Sequence, residues 1–550
     1  MTAPVRHILY MILIVLIILA GYLPSLQYEF APGDQWRAFQ YSLLDEPALE
    51  KAIKCYYARI YFDIRTGRPL CSIGECLEHA LVGKIADFST FRPLPLIAVI
   101  LTAFCLGLTL SPALGGFENG TAAGALFVFS PGYAFIYFRG LSTIMLLVAV
   151  IFAALSYLLL RRALNNQKKI KAILFSAFFF LLGCMIYPAW AFVVFIFALV
   201  DFLFCLDLDA CRRFMRLSKT VAFYMTFSMA YYLIIKVMIY FTPYTGTSSS
   251  YAFSAHFSPT YLLGRYLTAL RFYLAQPPLN SLVGTIHINL FLILLFALMY
   301  AYMHSGTDRK IRTFLSTMIV SLVLLFMSII PWLMSSMANT GNRYFVTFSL
   351  FMCAIVCWMV IRLGNALFPK RWYIPAVLLI VIVLLPSSAV QNKRSLLEAA
   401  TSNIEIQTMR GIIHQWIDSG DFRSKRYIVV VQPGKLRPAF AVRFMNDEKY
   451  EQADSHLFCG NPEYYFQMFT ALIREKCDCT HPLIGDMNIY NTTLLDPEMV
   501  ETILDSDPRG IVFKVIKQGV PLRTRHDVLV INFSMITGRP EALIIKQPDY

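Results

Sequence analysis

Apolar runs long enough to cross a lipid bilayer recur through the first 390 positions, and they constrain this chain more than any other feature. A helix needs about 20 consecutive apolar residues to span the hydrocarbon core, where each backbone N–H and C=O must find its partner inside the protein. Eleven such segments read as residues 8–26, 93–110, 122–138, 141–160, 172–187, 189–206, 220–241, 282–303, 314–334, 344–361 and 373–390. Only 15% of the 550 residues are charged and 57% are hydrophobic, against about 25% charged in a soluble domain. A water-soluble fold would lack polar surface. The expectation is a polytopic α-helical membrane protein with eleven transmembrane helices.

The net charge of +14 does not point to nucleic acid. Residues 392–550 hold 19 basic and 20 acidic side chains, so the whole excess lies among the apolar segments. It gathers in the short connections 161–171, 212–219, 309–312 and 362–371. The positive-inside rule makes those loops cytoplasmic. The N-terminus is then cytoplasmic too, while the long loop 27–92 and everything after the eleventh span are extracytoplasmic. Residues 8–26 follow only Arg6 and His7, with no clear small-x-small site, and read as a signal anchor rather than a cleaved signal peptide.

Two parts follow. Residues 1–391 form the membrane module, with 27–92 as its first extracytoplasmic loop. Residues 392–550 have the rhythm of a small α/β domain: β-rich runs at 427–432, 510–516 and 528–533, with helical patterns such as 463–475 between them. This segment has no GxSxG, HExxH or metal-ligand cluster, which favours an accessory or recognition role. Six of the twelve cysteines (Cys55, Cys71, Cys76, Cys459, Cys477 and Cys479) fall in extracytoplasmic stretches, where disulfides persist. The expected bridges join two of Cys459, Cys477 and Cys479, or Cys71 to Cys76.

The first loop carries most of the chemistry. Directly after the first span come Asp34, Gln35, Trp36 and Arg37. Pro32-Gly33 turns the chain there, and Trp36 suits the membrane interface. Asp34 either caps the helix that starts near Gln35 or presents a functional carboxylate. Leu49, Ile53, Tyr56, Tyr57 and Ile60 recur at helical spacing between charged residues, an amphipathic pattern suited to lying in the interface. Leu77, Leu81 and Ile85 mark a second short helix. Between them, Asp63, Arg65 and Arg68 sit on a turn, and Arg92-Pro93 leads into the second span. Arg37, Arg68, Arg92, Arg139 and Arg343 all fall near the extracytoplasmic face, where the charge rule makes basic residues unexpected. Guanidinium groups there suit the phosphate of a lipid-linked donor.

In the order span, Asp34-Gln35-Trp36-Arg37, Thr66-Gly67-Arg68-Pro69-Leu70, Phe91-Arg92-Pro93-Leu94-Pro95-Leu96 and span, the chain resembles the GtrII-type O-antigen glucosyltransferase family. Weaker echoes follow at Ser130-Pro131, Tyr137-Phe138-Arg139, Tyr187-Pro188-Ala189 and Gly341-Asn342-Arg343. The family's acidic pair before the Trp is Asp34-Gln35 here, and Gly140-Leu141 follows Arg139 where the family often has an acid. The resemblance implies a GT-C-like fold with an essential carboxylate in the first extracytoplasmic loop. It implies inverting transfer of a sugar, glucose in that family, from polyprenyl phosphate to lipid-linked O-antigen on the periplasmic side of a bacterial inner membrane. It also implies that a donor synthase and a donor flippase work upstream.

On that reading Asp34 takes the proton of the acceptor hydroxyl. Arg92, Arg139 or Arg343 stabilises the leaving phosphate, and Arg37, Asp63 and Arg68 contact substrate. The lipid already carries the sugar outward, so no nucleotide site is needed, and the sequence has no Gly-rich phosphate loop. No resident cofactor is called for, and a divalent metal stays open. The rival readings are an O-antigen polymerase or ligase and a glycolipid transporter or flippase. A transporter would want polar residues inside several spans, and apart from Asp201, Lys236 and His287 the spans are dry.

Overall fold

The computed structural model describes residues 3–29, 47–130, 144–165, 170–204, 210–242, 310–333, 346–368, 373–418, 427–431, 488–492 and 528–532, with single positions at 260, 264, 267, 471, 472, 475 and 476. These residues are almost all helical. Helix α1 is Ala3–Tyr22, followed by a 3-10 turn Leu23–Gln27, and the first loop holds α2 (Ala48–Arg65), α3 (Ser72–Leu81) and α4 (Ile85–Phe91). Then come α5 (Pro93–Leu114), α6 (Phe117–Val128), α7 (Ile144–Asn165), α8 (Ile170–Ile186), α9 (Pro188–Ala191), α10 (Val194–Phe204) and α11 (Ala210–Phe241). Helices α12 (Lys310–Ser328), α13 (Ile330–Leu333), α14 (Val346–Leu367), α15 (Tyr373–Leu378) and α16 (Leu385–Asp418) complete the helical part.

Among the described residues, five helical stretches are long and apolar enough to cross a membrane: Ile85–Leu114, Ile144–Asn165, Cys211–Phe241, Val346–Asn365 and Ala376–Lys393. Shorter apolar helices cover His7–Tyr22, Ile170–Ile186, Pro188–Phe204 and Thr317–Ser328. The chain is a multi-pass membrane protein. The expected span at 282–303 lies outside the described residues.

The chain divides into two compact units. The first comprises Met1–Pro24, Ile53–Cys76 and Arg92–Ser395. Its helices break where the chemistry dictates. Tyr187 is extended (φ −158°, ψ 97°) between α8 and α9, because a residue preceding proline is pushed out of the helical region. A π-helical turn, Leu379–Leu384, precedes α16, and the Leu385 N–H reaches back five residues to the Ile380 carbonyl. Pro386 follows directly and supplies no N–H of its own. Helix α6 lies against α5 at three glycines: a Cβ on Gly120 would meet the Gly107 carbonyl, and one on Gly124 the Ala103 carbonyl. Such small-residue contacts let helix backbones approach where burial against lipid gives little driving force.

The contacts also show which helix ends meet. His7 of α1 pairs with Glu118 of α6 at 2.6 Å, and Arg161 and Arg216 flank Asp201. At the other ends, the Ser388 hydroxyl donates to the Ile17 carbonyl (2.7 Å) and the Ser395 hydroxyl to the Gly21 carbonyl (3.0 Å). The Leu70 N–H bonds the Met185 carbonyl at 3.0 Å. The alternating path read from the charged loops puts the first group on one membrane face and the second on the other.

The second unit comprises Ser25–Ala52, Leu77–Phe91 and Leu396–Tyr550. It takes parts of the first loop that the sequence reading leaves wholly with the membrane module, and α16 runs unbroken through residue 391, where that reading ends the module. Strands β1 (Tyr427–Val431), β2 (Asn488–Thr492) and β3 (Val528–Asn532) form a parallel sheet in the order β2-β1-β3. Tyr427 is in register with Asn488 on one side and Val528 on the other. Parallel neighbours require crossover connections, in keeping with an α/β pattern. The expected strand at 510–516 and the helix at 463–475 fall mostly outside the described residues. Arg410 binds Glu29 (2.7 Å) and Glu475 (2.9 Å), and the Ile85 N–H donates to Glu475 at 3.1 Å. These bonds hold first-loop segments to α16 within this unit.

Candidate functional site

The turn between α2 and α3 is the most heavily braced part of the first loop. Helix α2 ends in a Schellman motif. The Arg68 N–H bonds the Asp63 carbonyl (2.8 Å) and the Gly67 N–H bonds the Ile64 carbonyl (3.0 Å). Gly67 sits at φ 75°, a left-handed conformation that costs glycine nothing. Pro69 follows and bars the helix from resuming. The motif usually seals itself with an apolar contact between the residues that here are Asp63 and Arg68. In this chain a charged pair takes that place.

Asp63 is 2% exposed. Its carboxylate accepts from the N–H and the hydroxyl of Ser72, satisfying one of the orphan donors at the start of α3. Burial raises its pKa above the usual carboxylate value, although the Ser72 bonds and the Arg68 and Arg59 guanidiniums favour the charged form. Among the described residues its Oδ2 has no hydrogen-bond partner. A carboxylate this enclosed anchors the turn.

Three further bonds fix the turn. The Tyr231 hydroxyl, from α11, donates to the Gly67 carbonyl, the Tyr56 hydroxyl to the Pro69 carbonyl at 3.0 Å, and the Leu70 N–H to Met185. Arg68 is the half-exposed group this scaffold presents. Its Nε donates to the Thr66 hydroxyl (3.1 Å), and its guanidinium lies over the Tyr187 ring at 5.4 Å. A cation stacked on an aromatic face keeps its charge. Chemically, the turn offers a positioned guanidinium suited to a phosphate.

The disulfide differs from the expectation. Cys55 of α2 bonds Cys76 of α3, with Cα atoms 5.5 Å apart, and Cys71 is a free thiol. The reason is helical geometry. Cys71 immediately precedes α3, and a residue five positions further along a helix is turned by about 140° from it. Cys76 therefore faces α2. Burial raises the Cys71 thiol to about 11. Cys459, Cys477 and Cys479 lie outside the described residues. An ion pair between Arg59 and Glu75 joins the same two helices.

Of the other candidates, Arg92 is 2% exposed at the start of α5, ahead of Pro93. Asp34, Arg37, Arg139 and Arg343 lie outside the described residues. Sequence reasoning missed Tyr56, Tyr187 and Tyr231, whose hydroxyls or rings hold the turn. Tyrosines in apolar helices read as ordinary packing, and nothing in their spacing marks the residues they reach.

No protein-family model matches the chain, and no curated protein matches it. Among solved structures the chain is similar to the crystal structure of an oligosaccharyltransferase from Archaeoglobus fulgidus in complex with Zn and sulfate. The TM-score is 0.36 at 12% identity, covering 76% of this chain and 60% of that one. A likeness of this size decides neither fold nor activity.

Proposed function

We propose that the chain is a GT-C-like membrane glycosyltransferase that moves a hexose, glucose by the family resemblance, from polyprenyl phosphate to a surface glycan such as lipid-linked O-antigen. Transfer takes place on the periplasmic side of the inner membrane, with inversion at the anomeric carbon. The observation that supports this reading best is the braced turn of the first loop. A disulfide, a Schellman motif and hydrogen bonds to two membrane helices hold the turn that carries the half-exposed Arg68, a guanidinium of the kind that suits a phosphate. The Cys55–Cys76 bridge also favours an oxidising compartment for this loop.

In the proposed reaction the acceptor oxygen attacks the anomeric carbon as the bond to the phosphate oxygen breaks. Asp34 takes the hydroxyl proton. Arg92, Arg139 or Arg343 meets the charge that develops on the leaving lipid phosphate, and Arg37 and Arg68 orient the substrates. Asp63 keeps the turn in shape.

The test is Asp34→Asn at matched protein level, read as the hexose mass increment on the surface polysaccharide. Losing general-base help slows transfer by about 10²–10⁴-fold, with membrane insertion intact. Helix capping alone would leave Asn nearly as good as Asp, so normal modification by the variant assigns the proton to another group. A wild-type glycan that changes in chain length, with no added hexose, would turn the reading towards a polymerase.

A further inference from the structure

At the opposite helix ends from the braced turn lies a pocket that the proposed reaction does not use. Tyr157, Ala198, Asp201, Phe202, Arg213 and Arg216 line it, and it is a small cleft open to solvent. It forms where α7, α10 and α11 come together, beside the last turns of α7 with Arg161 and Arg162 and the first turns of α11 with Arg212, Arg213, Arg216 and Lys219.

Asp201 stands in the otherwise apolar helix α10 and is 7% exposed. The Tyr157 hydroxyl donates to it at 2.7 Å. Arg161 and Arg216 flank it, each with a nitrogen 3.4 Å from a carboxylate oxygen. That is longer than a charge-assisted hydrogen bond of about 2.7–2.9 Å, so these are ion pairs at longer range. One guanidinium nitrogen is left over: among the described residues, Arg213 Nε is buried and makes no hydrogen bond, while Arg216 Nη2 meets Asp201 only at ion-pair distance. A buried donor on a charged group is costly to leave unmet. Thr220 does not meet it, because its hydroxyl donates back to the Arg216 carbonyl at 2.9 Å.

We infer that this pocket binds a phosphate group, and that the phosphate is the headgroup of an anionic lipid. Guanidinium forks suit phosphate oxygens, and basic pockets between membrane helices on the cytoplasmic side favour anionic headgroups. The pocket's apolar wall is Ala198, Phe202 and Leu217, and Phe214, three positions before Leu217 on α11, is exposed (55%). Acyl chains can lie along that surface, whereas a free anion gains nothing from it.

The experiment uses the full chain, delipidated in neutral detergent and titrated with phosphatidylglycerol, phosphatidylcholine or inorganic phosphate, with retention read by native mass spectrometry and stability by thermal unfolding. Phosphatidylglycerol should be retained and should raise Tm, and phosphatidylcholine should do neither. Arg213→Gln removes a cation that makes no ion pair with Asp201 and should weaken phosphatidylglycerol binding about tenfold. Arg213→Lys, which keeps the charge and loses the fork, should fall in between. If inorganic phosphate alone raises Tm as much, the phosphate site stands and the lipid assignment is overturned. Equal retention of both lipids with no phosphate effect, or wild-type affinity in Arg213→Gln, overturns the site.

Discussion

Asp63 shows how one residue combines a buried charge, a helix terminus and a turn. Its carboxylate meets the Ser72 N–H and hydroxyl, while burial pushes its pKa upward against the pull of Arg68 and Arg59. A folded-state pKa above the unfolded value of about 4 means that the folded protein holds the proton more tightly. The associated stability is complete below the unfolded pKa and is lost as pH rises through the folded one. Asp63→Asn keeps an acceptor for Ser72 and removes the titration. Thermal unfolding across the acid range should therefore fall with rising pH in the wild type more steeply than in Asp63→Asn. Asp63→Ala leaves the Ser72 donor unmet and should cost about 1–3 kcal/mol at any pH. A wild type that gains stability relative to Asp63→Asn over that range would refute the raised pKa. In the sequence, Asp63 reads as a substrate contact because a charged turn looks exposed. The turn that encloses it is fixed by Tyr231 and Met185, which bond Gly67 and Leu70 from more than a hundred positions away and carry no local signal.

At the scale of elements, hydropathy locates helices better than it locates their ends. The second and third spans were read as 93–110 and 122–138, yet α5 runs to Leu114 and α6 begins at Phe117. Hydropathy marks the hydrocarbon layer, while helices continue past it until a residue such as Gly115, at φ 76°, ends them. Strand β2 escaped notice for a related reason: Asn-Ile-Tyr-Asn-Thr lacks the dense β-branched run of β1 and β3. The contact between α5 and α6 gives a paired test. In Gly124→Ala the new methyl meets the Ala103 carbonyl, a backbone atom that cannot swing away. Overpacking of this kind costs about 1–3 kcal/mol. Gly411 of α16 is exposed and a Cβ there meets nothing within 4 Å, so Gly411→Ala should be neutral or stabilise by up to about 1 kcal/mol. Thermal unfolding in detergent separates the two, and equal behaviour would mean that α5 and α6 do not approach this closely.

At the scale of the whole molecule, the multi-pass character was legible from hydropathy, and charge adds an expected path, because both follow from the bilayer and need no knowledge of tertiary contacts. The contacts inside the first unit agree with that path at residues far apart in sequence. His7 meets Glu118, and Arg161, Asp201 and Arg216 come together, all at ends expected on the cytoplasmic face. Gly67, Leu70, Met185 and Tyr231 meet at ends expected on the other face, as do Ile17 and Ser388, Gly21 and Ser395. Contacts of this kind require an even number of crossings between Gly21 and Ser395, because both lie at the same membrane face. They do not by themselves say which face is cytoplasmic. The expectation for that sign comes from the basic loops through insertion and from the Cys55–Cys76 bridge through redox environment. Reporter fusions at residue 166 should therefore read cytoplasmic, and fusions at residues 46 and 420 extracytoplasmic. The Cys55–Cys76 bridge makes the same claim chemically: both thiols should resist a membrane-permeant alkylating reagent in intact cells until a reductant is added. A cytoplasmic signal at residue 420 with an extracytoplasmic one at residue 46 would require an odd number of crossings between them, which the Ser388–Ile17 and Ser395–Gly21 bonds forbid.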